Sequence, residues 1–276
     1  MRRITLAIAA VGAASAVVLT GCGSTSPQLG SVKLAAAEAV AQSAQQAEAV
    51  SSYTVDAVAD FSHPDGGAGK VQGRMVYQSK PQLAVDLTLD TVSFGQNNLP
   101  GGARAILVGD TAYIKLDALK SMTGVTKPWI KASVSDLDGQ GRTEAQNALG
   151  RIQQFDLSAA VKLVTASKDV KSVGTESVGG VDTTHYSGTF PVEEAVKLLD
   201  PAHRDQASQS FGEVKNMKFD LWADAQSLPR KITMSGEADR GKFNATMMFK
   251  GYNEPVEITA PPASEVGEIP NRTQTN

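Results

Sequence analysis

The feature that most constrains this chain is an alternation of apolar and polar residues with a period of two, returning between short turn signals. Its clearest instance is Leu83, Val85, Leu87 and Leu89 set against Gln82, Asp86, Thr88 and Asp90. Successive side chains of a strand point to opposite faces, so this spacing describes a strand with one covered and one wet face. The same alternation marks residues 53–61, 71–77, 217–221, 232–234 and 243–249, while 104–108, 111–116, 127–133, 170–178 and 181–190 read as further strands around their turn signals, with a last candidate at 256–258. Gly109-Asp110, in an order that suits a type II′ turn, and Gly179-Gly180 make two-residue hairpin turns. His63-Pro64-Asp65-Gly66-Gly67 is a loop signal, and residues 92–102, with Asn97-Asn98 and Leu99-Pro100-Gly101-Gly102, read as a long loop. Turns this short make neighbouring strands antiparallel.

Helical text is segregated from the strands. Ala, Glu and Gln dominate residues 31–50, Ser31 is a suitable N-cap, and Leu34, Ala37, Ala41, Ala44 and Ala47 make a narrow stripe. Residues 143–166 lose the alternation and read as two helices, one with Ala148, Leu149, Ile152 and Phe155 on its apolar face, the other with Leu157, Ala160, Val161 and Val164. Residues 191–200 form a short helix opening on proline, and 201–213 continue as helix. The expected class is α+β: one large antiparallel sheet of about ten or eleven strands, a size that tends to curl, with the segregated helices covering the inside of the curve. No internal linker divides residues 31–260, and the polar, Pro-containing residues 261–276 are expected to be a disordered tail.

The N-terminus adds an address. Arg2-Arg3 precede a short run of apolar and small residues that ends in Leu19-Thr20-Gly21-Cys22, which carries the only cysteine. The run is short and rich in Gly, Ala and Ser for a membrane span, and fits a cleaved secretory leader, residues 1–21. A small residue before a thiol that can carry a diacylglyceryl thioether is the chemistry of a lipoprotein signal, so Cys22 is the expected acylation site and residues 22–30 a flexible tether. The expected location is the outer face of the cell membrane. Without the leader, 24 basic residues stand against 29 acidic, a net charge of −5. That balance argues against nucleic acid, and against attachment to anionic lipid by charge alone.

Catalytic and cofactor patterns fail on spacing. Gly66-Gly67-Ala68-Gly69-Lys70 lacks the leading glycine and trailing Ser/Thr of a phosphate loop, and a strand follows it. Asp136-Leu137-Asp138-Gly139-Gln140-Gly141 begins like a calcium loop but has Asn147 where the bidentate Glu belongs. His63, His185 and His203 share no metal-ligand spacing, and Ser177 misses the nucleophile elbow by one position. We therefore expect no enzyme, cofactor or metal.

Two stretches carry a resemblance. Ser172-Val173-Gly174-Thr175-Glu176-Ser177-Val178-Gly179-Gly180-Val181-Asp182-Thr183-Thr184-His185-Tyr186-Ser187-Gly188-Thr189 is one; Asp220-Leu221-Trp222-Ala223-Asp224, followed by Leu228-Pro229-Arg230-Lys231-Ile232, is the other. With the lipoprotein signal, these resemble the LppX/LprA/LprF/LprG family of actinobacterial lipoproteins, related in fold to the periplasmic carrier LolA. The resemblance implies a sheet curled into a half-open barrel, with helices over its concave face and an apolar cavity between them that binds acyl chains of lipids or lipoglycans for envelope lipid transport. It assigns no cavity residue. The candidates are the regular inward sets Leu83, Val85, Leu87 and Leu89; Phe219 and Leu221; and Phe243, Met247 and Phe249. Small residues (Gly73, Ala84, Ala245) could leave space there, and Met75, Met234, Met247 and Met248 could adapt to flexible chains. The expected partners are the membrane, through acylated Cys22, and a lipid or lipoglycan. The alternative is an envelope sensor or protein-interaction module on the same fold, without bound lipid.

Overall fold

Strand-forming alternation becomes a single sheet in the computed structural model, which describes residues 29–62, 67–95, 97–99, 101–116, 125–134, 139, 142–143, 157–201, 204, 207–208, 211, 214–238 and 241–268. Cys22 with the expected leader and tether up to residue 28, nearly all of the first expected central helix, most of the calcium-like loop, His63, His203 and the last eight residues lie outside these. The strands are β1 (Ser52–Ser62), β2 (Ala68–Gln78), β3 (Ala84–Phe94), β4 (Asn97–Asn98), β5 (Ala103–Val108), β6 (Thr111–Lys115), β7 (Trp129–Ser133), β8 (Lys171–Val178), β9 (Val181–Pro191), β10 (Asn216–Asp224), β11 (Pro229–Ala238), β12 (Gly241–Lys250) and β13 (Val266–Glu268). The helices whose bounds fall within the described residues are α1 (Leu29–Glu48), α2 (Leu157–Val164) and α3 (Val192–Lys197).

The order across the sheet is β13-β7-β6-β5-β3-β2-β1-β12-β11-β10-β9-β8, with β4 hung on β3. Two meanders thus meet where β1 pairs with β12, Thr54 opposite Lys250 and Phe61 opposite Phe243. Every pairing is antiparallel except β13 against β7. The sheet is α+β as expected and has thirteen strands instead of ten or eleven. The curled half-open barrel is not what forms: among the described residues the sheet is open and not strongly curled, because β8 and β13 stand at opposite edges and no pairing draws them together.

Local chemistry explains where the chain departs from its pattern. Residues 92–94, read as loop, continue β3, because Asp90 is an extra residue opposite the Gln72/Gly73 step of β2. The bulge reverses the phase, so Val92 and Phe94 continue the face that Leu87 and Leu89 began. Gly73 lets the strands approach there: a Cβ would lie 2.3 Å from the Thr88 carbonyl oxygen. Gly109 has positive φ (63°) and Gly179 and Gly180 both do (59° and 83°), as the two hairpin turns require. Helix α1 starts at Leu29, so Ser31 lies inside it and is not its cap. Its buried stripe is Ala36, Val40, Ser43, Ala44 and Ala47, while Ala37 and Ala41 face water. An alanine-rich helix carries little sign of which side is apolar, and Val40 selects it by packing.

Residues 256–258 form no strand, whereas part of the tail expected to be disordered does: a 3-10 turn, Ala263–Glu265, leads into β13, with Val266 beside Trp129. The β7 edge is apolar, Trp129 and Ile130 being 5% and 3% exposed, and β13 covers it. A single core runs beneath the helices, from Val85 and Leu107 through Tyr53, Met75 and Phe249 to Ile232, Leu221, Phe219 and Phe190, capped by Val40, Leu157, Val161, Val164 and Val196. Tyr53 pins α2 to the sheet's centre: its ring stacks on Tyr77 at 5.0 Å, and its hydroxyl accepts the Leu157 N–H at 3.3 Å.

Candidate functional site

Register places the two faces of the sheet unambiguously. On one face, reading across from β5 to β9, lie Ala105 and Leu107; Val85, Leu87 and Leu89; Tyr77, Met75 and Gly73; Tyr53, Val55, Ala57, Ala59 and Phe61; Phe249, Met247, Ala245 and Phe243; Ile232 and Met234; Leu221 and Phe219; Tyr186 and Phe190. It is an apolar surface crossing most of the sheet. On the other face, Asp56 pairs with Arg74 (2.5 Å) and Lys250 (2.7 Å), and Asp86 with Arg104 (2.6 Å). These three ion pairs lock β1 to both neighbours and β3 to β5, which burial of apolar area alone would not register.

The apolar face divides into a sealed and a half-open part. Where the helices lie, Tyr53, Val55, Met75, Val85, Phe249, Ile232, Leu221, Phe219 and Phe190 are at most 6% exposed. Farther along β1, β2, β3 and β12, Ala57, Ala59, Val71, Leu87, Leu89, Phe243, Ala245 and Met247 are half-buried, and the row ends on exposed Phe61. The candidate residues fall on both sides of this boundary. Val85, Phe219, Leu221 and Phe249 are packed in the core, whereas Leu87, Leu89, Phe243 and Met247 lie on the half-open strip. Leu83 stands just before β3, half-buried against the core, and its carbonyl accepts the Gly109 N–H at 2.9 Å. Ala84 belongs to the opposite face from Val85 and leaves no space on this one, and Met248 likewise faces the polar side. Sequence reasoning gave no role to Val71 or to Ala57 and Ala59; their small side chains keep the strip low, and the period-two pattern of β1 was the signal for the alanines.

The two stretches that carry the resemblance are structural supports. Asp224, its side chain 1% exposed, accepts the N–H groups of Gln226 and Leu228 (2.9 Å each) on one oxygen and the Arg230 guanidinium on the other (2.7 Å). That carboxylate closes the β10–β11 turn. Arg230 lies over the Tyr252 ring at 5.1 Å, and the Tyr252 hydroxyl donates to the Pro229 carbonyl. Burial pushes the Tyr252 phenol well above its usual range. In the other stretch His185 stacks on Trp222 (4.2 Å), with Nε2 2.7 Å from Asp220 and Nδ1 3.1 Å from Glu176. The Trp222 indole N–H donates to Glu176 at 2.6 Å, and Lys231 lies 4.1 Å above the indole. Each ring nitrogen of His185 lies beside a different carboxylate, an arrangement that positions the imidazole. Among the described residues no group of His, Cys, Asp and Glu is placed to hold a metal ion, and no helix is long and apolar enough to cross a membrane.

A cleft of about 820 Å³ lies at the sheet end shared by β1, β10, β11 and β12, lined by Phe61 and Phe243 together with Asp60, Lys215, Lys218, Ser235, Lys242 and Asn244. Phe61 and Phe243 belong to the apolar face and the charged groups to the polar one, so the cleft adjoins the end of the apolar strip.

No family model matches the chain. A protein of Streptomyces griseus, described only as an uncharacterized 31.2 kDa product of the rplA–rplJ intergenic region, is 33% identical over 171 residues, 60% of this chain and 56% of that protein. A candidate lipoprotein of Streptomyces coelicolor is 26% identical over 141 residues, 51% of this chain and 42% of that one. The chain spans about half the length of the curated relatives it matches. Among solved structures, LprF from Mycobacterium bovis superposes with a TM-score of 0.51 at 13% identity, covering 83% of this chain and 97% of that one. The Mycobacterium tuberculosis lipoprotein LppX gives 0.47 at 18% identity over 82% and 99%. The chain has the fold of LprF, the kind of protein its two sequence motifs resemble.

Proposed function

We propose that this chain is an exported lipoprotein, anchored through acylated Cys22 to the outer face of the cell membrane, that holds acyl chains of a lipid or lipoglycan against the apolar face of its sheet as a carrier in envelope lipid transport. One observation carries the reading: an apolar surface crosses most of the sheet, yet only part of it is sealed by helices, leaving Leu87, Leu89, Ala57, Ala59, Ala245, Met247 and Phe243 half-covered. A protein stabilised by burial alone gains nothing from leaving such a strip open, whereas about 25 cal/mol per Å² becomes available to a ligand that covers it. The LprF fold and a Streptomyces relative described as a candidate lipoprotein support the assignment.

The test is solvent extraction and mass spectrometry of the purified mature chain carrying Cys22→Ala. Lipid is expected at close to one equivalent, and Met247→Glu, which sets a charge on the strip, is expected to remove it. A lipid-free protein whose strip is unaffected by this change would sink the idea. A second reading, a protein-interaction module without lipid, is favoured by the free edge of β8, where residues 171–177 are exposed and Val173 is 54% exposed. It predicts a stoichiometric protein partner in a membrane pull-down and no extracted lipid.

A further inference from the structure

Four large apolar side chains are exposed among the described residues: Phe61 (40%), Phe94 (55%), Val173 (54%) and Leu198 (48%). Three of them gather at one end of the sheet. Phe61 closes β1 and Phe94 closes β3, and both stand opposite Gly69 of β2. Their ring centroids are 6.4 Å apart. Gly69 holds this pair down, since a Cβ there would come within 2.9 Å of the Phe94 ring. Leu198 follows α3, which begins where β9 ends against Asn216 at the same sheet end. Between these apolar points the rim carries Lys70, Lys242, Lys215 and Lys218. Lys70 and Lys242 have acidic neighbours, Asp60 at 3.9 Å and Glu237 at 3.1 Å. Lys215 and Lys218 are exposed and have no ion-pair partner among the described residues.

We propose that this end of the sheet is a bilayer-docking edge: Phe61 and Phe94 enter the interfacial zone of a phospholipid membrane while Lys215 and Lys218 face its phosphates. The inference rests on the acyl-carrier reading above and gives that site its entrance. Aromatic rings with lysines beside them suit a boundary that is apolar on one side and wet and anionic on the other. Phe61 ends the row Tyr53, Val55, Ala57, Ala59, so an acyl chain leaving the bilayer at this edge meets the half-open strip without crossing water. Only residues 23–28 separate Cys22 from α1, a reach of at most about 20 Å, which keeps the domain close to the membrane it would touch.

The experiment is co-sedimentation of the mature Cys22→Ala chain with phosphatidylglycerol–phosphatidylcholine vesicles and with phosphatidylcholine alone, with extracted lipid measured on the same samples. The wild-type chain is expected to bind, and Phe61→Ser with Phe94→Ser to weaken binding at least tenfold on both vesicles. Lys215→Glu with Lys218→Glu is expected to weaken it roughly tenfold or more on the anionic vesicles only. All four residues are on the surface, so an unchanged melting temperature should accompany both variants. Failure of the wild-type chain to bind vesicles, or equal binding by the phenylalanine variant, would overturn the proposal; so would capture of a protein partner by this edge in place of lipid. Docking that depends on Phe61 and Phe94 in a chain that extracts lipid-free would uphold the edge while refuting the carrier reading.

Discussion

Removing the Asp224 carboxylate is the most decisive single perturbation of this fold. Asp224→Ala leaves the Gln226 and Leu228 N–H groups without their acceptor and the Arg230 guanidinium, whose side chain is 21% exposed, without its counter-ion. The acid is nearly inaccessible, so water replaces little of what is lost. Breaking a buried pair from one side costs about 3–5 kcal/mol. For a domain of this size each kcal/mol moves the melting temperature by roughly 2–4 °C, so a fall of about 6–20 °C is expected. Urea unfolding of the Cys22→Ala chain, followed by the fluorescence of its two tryptophans, Trp129 and Trp222, measures it directly. Asp224→Asn keeps an oxygen that can accept both N–H groups and loses only the ion pair, so it should fall between wild type and alanine. A loss below about 1 kcal/mol for Asp224→Ala, or an asparagine variant no better than alanine, would refute the account of the turn.

Acid sensitivity should trace in part to Asp169. Burial alone would raise its pKa, but hydrogen bonds from the Thr189 N–H (2.7 Å), the Thr189 hydroxyl (2.8 Å) and the Ser167 hydroxyl (2.9 Å) bring it below the ordinary 3.8. Its stabilisation is present above that ordinary value and lost as pH falls through the lowered folded one, so Asp169→Asn should flatten the stability curve below about pH 4. Gly73→Ala forces a Cβ to within 2.3 Å of backbone that cannot swing aside; a cost of about 1–3 kcal/mol is expected in the same urea assay. Truncation after Pro262 removes β13 and uncovers the β7 edge. The shortened chain should elute partly as aggregate in gel filtration, and a clean monomer would count against β13 as an edge cover.

How much of this was legible depends on what each residue faces. Strands with one wet face announced themselves, because Asp56, Asp86 and Lys250 must alternate with Val55, Val85 and Phe249. The end of β3 did not, since the extra residue Asp90 reverses the phase and turns Val92-Ser93-Phe94 into apparent loop. The side of α1 was misplaced by one position because alanine is tolerated on either face. Three residues after two prolines gave no hint of β13, whose pairing is set by the apolar edge it meets and not by its own sequence. The apolar strip was written in the alternation, but its division into sealed and half-open parts was not: Val85 and Leu87 look alike in the sequence, and only the seat of the helices separates them.

The seam between β1 and β12 also governs when this fold can exist. The first strand of the sheet finishes as a central one, with β2 on one side and, on the other, a strand whose Lys250 lies opposite Thr54. A chain released from its N-terminus can assemble β1–β7 early, but that half keeps a raw inner edge until residue 250 is free, and such distant pairings form slowly. Until then the partner of β1 on that side is missing, so the two meanders become one sheet only when the β1–β12 seam closes.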